Sequence, residues 1–81
     1  MPKEQHMVTI YAPRGYLEDG YELVSFPDGH TNVMKFNDVI HADETLDSAK
    51  EWFAKEFVHP DEQRFYTYSP EAWLIDGEEF F

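Results

Sequence analysis

The sequence predicts a small α+β domain, an antiparallel sheet of about four strands with one helix packed on a face, in the order β-β-β-α-β. Three observations predict it. Short alternating runs rich in β-branched and aromatic residues recur between turn residues in the N-terminal half. A central segment carries apolar residues at helical spacing, bounded by a capping threonine and a proline. Finally, 81 residues leave room for one modest core, so 1–81 reads as a single acidic domain.

The first strand is Met7-Val8-Thr9-Ile10-Tyr11-Ala12, which alternates and ends at Pro13. Arg14-Gly15-Tyr16 and Glu18-Asp19-Gly20 are turn material, and Tyr21 to Phe26 is the second strand. Pro27-Asp28-Gly29 lies between apolar runs and signals a tight reversal, so Thr31 to Phe36 returns as the other arm of a hairpin. Asn37-Asp38 is expected to bulge or break that arm before Val39-Ile40-His41.

The helix is expected from about Leu46 to Phe57. Thr45 is placed to cap it, and Asp47 in the first turn suits the positive end of the helix dipole. Leu46, Ala49, Phe53 and Phe57 form the apolar stripe, with Trp52 on its flank. His59-Pro60 ends it, because a residue before proline disfavours the α region. Arg64 to Tyr68 reads as the last strand and Ser69-Pro70 as a turn. Ala72-Trp73-Leu74-Ile75 is expected to dock on the core as a short strand or turn, with Gly77-Glu78-Glu79 exposed.

Composition narrows the function. Hydrophobic residues make up 42% and aromatics 17%, so the chain is expected to fold despite its charge. There is no cysteine, which excludes disulfides and thiolate chemistry. No apolar run approaches the roughly 20 residues that span a bilayer. Met1 to His6 is polar, without the apolar centre of a signal peptide, and a cytoplasmic protein is expected. Seventeen acidic residues oppose six basic ones, a formal charge of −11. Such a surface repels nucleic acid and anionic membrane and attracts basic partners.

Catalytic constellations are scarce, and the chain is read as a binding protein and not an enzyme. His41-Ala42-Asp43-Glu44 and His59-Pro60-Asp61-Glu62 share an H-x-D-E pattern around the helix. Neither supplies the i, i+4 ligand pair of a helical metal site, so no metal or other cofactor is expected. The calcium-loop pattern is missing, the four glycines are scattered, and Ser25, Ser48 and Ser69 have no nucleophile motif around them.

The carboxylates carry more information. No Lys or Arg occurs from Gly15 to Met34, from Phe36 to Ala49, or from Phe65 to Phe81. Asp47 and Glu51 are four apart on the helix with Asp43 and Glu44 just before, which sets carboxylates about 6 Å apart along one face. Such a row can occupy a Lys/Arg groove that normally holds nucleic acid. Asp43, Glu44, Asp47 and Glu51 are therefore the first candidate contact set, and Glu18, Asp19 and Glu22 the second. Tyr16, Tyr21, Tyr66, Tyr68 and Trp73 exceed what so small a core is expected to bury, and Tyr and Trp are favoured at interfaces.

Ala42-Asp43-Glu44-Thr45-Leu46-Asp47-Ser48-Ala49, followed by Glu51-Trp52, resembles the strand-to-helix junction of small acidic phage inhibitors of bacterial RNA polymerase. The match covers about ten residues, and no functional residue carries over. More broadly the chain is similar to short, acidic, cysteine-free phage inhibitors, including anti-CRISPR, anti-restriction and DNA-mimic proteins. That resemblance implies an inhibitor of a host nucleic-acid-binding enzyme, acting on its basic surface with no direct nucleic-acid or membrane binding. The other reading is an interaction module that uses an aromatic patch or sheet edge, with acidity serving solubility.

Overall fold

The computed structural model describes residues 7–80, with backbone alone for Met7, Leu17 and 76–80. Among these residues five strands form one antiparallel sheet: β1 (Met7–Pro13), β2 (Tyr21–Ser25), β3 (Thr31–Lys35), β4 (Asp38–Asp43) and β5 (Trp73–Phe80). Their order is β4-β3-β2-β1-β5. The helices are α1 (Leu46–Phe57) and α2 (Gln63–Tyr68). α1 packs on β2, β3 and β4, and α2 lies against α1. The α+β class is as the sequence predicts, with one more strand and one more helix.

The turns follow their chemistry. Gly29 sits at φ 103, its N–H donates to the Phe26 carbonyl at 2.9 Å, and the Phe26 N–H donates to the His30 carbonyl at 2.9 Å. This is the short β2–β3 hairpin that Pro27-Asp28-Gly29 signals. The next reversal uses Phe36, at φ 56, with Lys35 paired to Asp38. Asn37-Asp38 thus lies at a true reversal, and the irregularity falls one step later, between Val39 and His41 in the pairing with β3. Phe36 is held there by its N–H, which donates to the Gly20 carbonyl at 2.8 Å.

Two sequence expectations are corrected. Arg64 to Tyr68 is helical. The run is locally β-rich, yet Pro60 opens a short 3-10 turn over Pro60–Glu62 that leads straight into α2. Tertiary partners then fix the helix: the Tyr66 hydroxyl donates to the Arg14 carbonyl, and the Trp73 indole N–H donates to the Tyr66 carbonyl at 2.8 Å. The last strand is instead β5, which runs antiparallel to β1 from Pro13↔Trp73 to Met7↔Phe80. The exposure expected of Gly77-Glu78-Glu79 lies outside the described side chains.

The core is aromatic. Phe53 is fully buried and meets Tyr16, Tyr21 and Trp73 edge-on at centroid distances of 5.6, 5.2 and 5.5 Å. Leu23 and Val33 close it from the sheet, and Ala49 and Ala54 let α1 approach closely. Ala54 joins the buried stripe, whereas Phe57 is partly exposed. Val8, Ile10 and Ala12 alternate to the other side of β1 and are buried outside this cluster.

Candidate functional site

The acidic site begins where β4 hands over to α1. Thr45 is extended (φ −137, ψ 159), and its hydroxyl accepts the Ser48 N–H at 3.1 Å. This cap orients the first turn, so that Asp47 and Ser48 face solvent beside Glu44. Asp43 differs from its neighbours. Its carboxylate lies 2.9 Å from His41 Nε2, and the His41 ring stacks on Trp52 at 4.0 Å and an interplanar angle of 2°.

Two shallow clefts meet at Ser48. One is lined by Asp47, Ser48, Glu51, Thr67 and Tyr68, between α1 and α2. The other is lined by His30, Ala42, Asp43, Glu44, Thr45 and Ser48, between β4, the β2–β3 turn and the start of α1. The four carboxylates of the first candidate set are thus divided between two neighbouring clefts, Asp47 and Glu51 in one and Asp43 and Glu44 in the other, with Ser48 common to both; the pair is termed the acidic trough. Tyr68, 69% exposed, lines the first cleft.

Most described cations are turned toward rings and carbonyls. Lys35 lies 4.7 Å from the Tyr21 ring centroid, Lys50 5.5 Å from Tyr11, and Arg64 5.2 Å from Tyr68. Arg14 donates to the Glu71 carbonyl at 2.8 Å. Lys55 does approach Glu51, at 3.9 Å on an exposed i, i+4 face, a pair that water weakens to a few tenths of a kcal/mol.

The second candidate set is divided. Glu18 and Asp19 are exposed on a 3-10 turn, Leu17–Asp19. Glu22 lies on β2 opposite Met34, on the alternate positions to the core residues Tyr21 and Leu23. None of the three lines the trough. The aromatic expectation is also corrected: Tyr21, Tyr66 and Trp73 are buried and Tyr16 is half-buried, leaving Tyr68 as the exposed member. Two helices layered on one face bury more ring area than a single helix covers.

The H-x-D-E segments fold as local pairs. His41 contacts Asp43, and His59 caps its own turn by accepting the Asp61 N–H at 3.4 Å. A third such pair joins His30 and Asp28 at 2.6 Å. Asp28 also accepts the His30 N–H, and that bond foremost holds its carboxyl below the usual carboxylate range. Among the described residues no three His, Asp or Glu side chains converge as a metal site would require. Thr67 and His30 escaped the sequence reading, since only the packing of α2 and the β2–β3 hairpin brings them to the trough. No family model, curated protein or solved structure matches this chain.

Proposed function

We propose that this protein is a small acidic binding protein that inhibits a host nucleic-acid-binding enzyme by occupying its basic site, in the manner of the DNA-mimic, anti-restriction and anti-CRISPR inhibitors of phages. The observation that carries this reading is the trough. Asp43, Glu44, Asp47 and Glu51 line its two clefts beside an exposed Tyr68; Lys35 and Lys50 lie over rings elsewhere, and the cations at hand are Arg64, over the Tyr68 ring, and Lys55, 3.9 Å from Glu51. A Lys/Arg groove that neutralises phosphates gains the same Coulomb attraction from this row. Tyr68 adds an amphipathic ring of the kind that anchors interfaces. Inhibition is steric and electrostatic: the row guides fast encounter, and the bound domain blocks the groove. The site of action is the host cytoplasm.

The test is capture from a bacterial lysate on immobilised protein, at low and at high salt, followed by mass spectrometry. Wild type is expected to retain nucleic-acid-binding proteins at low salt, to release them at high salt, and to lose them to added duplex DNA. Asp47→Lys with Glu51→Lys is expected to retain at least about tenfold less while keeping its circular dichroism. An identical captured set on the charge-reversed protein, or retention indifferent to salt, refutes the proposal.

A further inference from the structure

The second recognition feature is the open edge of β4. Among the described residues β4 pairs with β3 alone. Its outward groups follow from the ladder. Bonded pairs alternate in an antiparallel sheet, and two bonds set the phase: the Phe26 N–H donates to the His30 carbonyl, and the Phe36 N–H to the Gly20 carbonyl. Counting in from them, Asn32 and Met34 bond toward β2, so Thr31, Val33 and Lys35 bond toward β4. His41 and Asp43, opposite Val33 and Thr31, therefore bond inward. Ala42, opposite Asn32, turns its N–H and C=O to the open side.

Edges are ordinarily blunted by lysine, proline or a bulge. β4 has neither Lys nor Pro; it carries a bulge at Ile40, which leaves His41–Asp43 as the regular open stretch. Apolar side chains stand exposed on it, Val39 at 56% and Ile40 at 39%, and Phe36 is 63% exposed in the turn that precedes it. The charges decide the occupant. Asp38 and Asp43 close the two ends of β4, and Glu44 follows. In an antiparallel pairing of two copies, Asp38 of one would approach Asp43 of the other, on chains that each carry −11. A basic strand meets attraction where a second copy meets repulsion.

We infer that β4 is a docking edge for an extended, basic segment of the partner protein, which adds antiparallel as a sixth strand and places Lys or Arg over Asp43 and Glu44. This deepens the proposed function and rests on it for the basic character of the partner. The main chain of the segment bonds to Ala42, its apolar side chains cover Val39 and Ile40, and its N-terminal cations enter the cleft beside His30.

A synthetic peptide of about ten residues, alternating valine and threonine behind two N-terminal lysines, tests it against the whole protein. At about 1 mM peptide the Ala42 amide is expected to exchange about tenfold more slowly, and the same peptide with glutamates for the lysines to bind at least about tenfold more weakly. Ala42→Pro removes an outward N–H and no ladder bond, so it is expected to keep the Phe53 and Trp73 resonances and lose the peptide. In the lysate capture Asp47→Lys with Glu51→Lys reports on the acidic row, whereas Ala42→Pro leaves every carboxylate in place and reports on the edge, so failure of the edge is distinguishable from failure of the acidic row. An unchanged Ala42 rate, equal binding of the glutamate peptide, or full binding by the folded Ala42→Pro protein overturns the inference. So does a dimer by sedimentation that Ala42→Pro dissolves, because the edge would then belong to a second copy.

Discussion

Gly20 and Phe36 show how single residues set the position of β4. Gly20 sits at φ 80, and a Cβ there would stand 2.5 Å from the Phe36 ring, below any normal contact. Phe36 itself occupies the left-handed region at φ 56, held by the bond to the Gly20 carbonyl. Gly20→Ala is therefore expected to cost about 1–2 kcal/mol for the backbone alone, and more if the ring cannot move. Urea unfolding measures it, and the penalty is expected to shrink in a Phe36→Ala background. Tyr66 gives a second prediction. Burial pushes its hydroxyl above the usual tyrosine value of 10.0. The folded state thus holds that proton more tightly than the unfolded chain. Its contribution is fully present below pH about 10 and is lost as pH rises through the higher folded value. Tyr66→Phe is expected to flatten the alkaline arm of a stability–pH curve, at a cost near neutrality of about 1 kcal/mol for the lost bond to Arg14.

At the scale of elements, α1 is the piece whose character local rules decide. Its cap at Thr45, its first-turn Asp47 and its termination before Pro60 all follow from residues within one turn of each end. Its binding to the sheet runs through Phe53. Phe53→Ala is expected to destabilise the domain by about 3–5 kcal/mol, read by urea denaturation, because four aromatic neighbours cannot close on the cavity. α2 is the opposite case. Phe65-Tyr66-Thr67-Tyr68 favours a strand by composition, and β-propensity is the preference that surroundings most readily override. Arg14, distant in sequence, and Trp73, seven residues on, select the helix through Tyr66. The consequence reaches the candidate site, because the helix brings Thr67 and Tyr68 to face Asp47 and Glu51.

For the whole molecule, the net charge of −11 opposes compaction by self-repulsion. Raising salt from about 0.01 to 0.15 M shortens the screening length from about 30 to 8 Å. Stability is expected to rise, and a gain on the order of 1 kcal/mol would appear as roughly 4–8 °C in Tm by calorimetry. Partner binding through the acidic trough is expected to weaken over the same range. Opposite signs for folding and for binding would be the signature of a domain whose charge serves recognition at some cost to its own stability.

The α+β class, the β2–β3 hairpin, α1 and the acidic row on its N-terminal side were legible in the sequence. These depend on turn residues, periodicity and capping, which act within a few positions and are written locally. Tertiary structure alone decided three things. It turned Arg64–Tyr68 into a helix, paired the tail with β1 as a fifth strand, and left Tyr68 as the exposed member of the five candidate Tyr and Trp side chains. Each depends on contacts between residues far apart in the chain, whose energies outweigh local preference. The candidate site divides along the same line. Asp43, Glu44, Asp47 and Glu51 could be read together because one strand-to-helix junction carries them. Glu18 and Asp19 and then Glu22 were separated by a turn and by the alternation of β2. The open edge of β4 was legible only once the strand order placed it outermost.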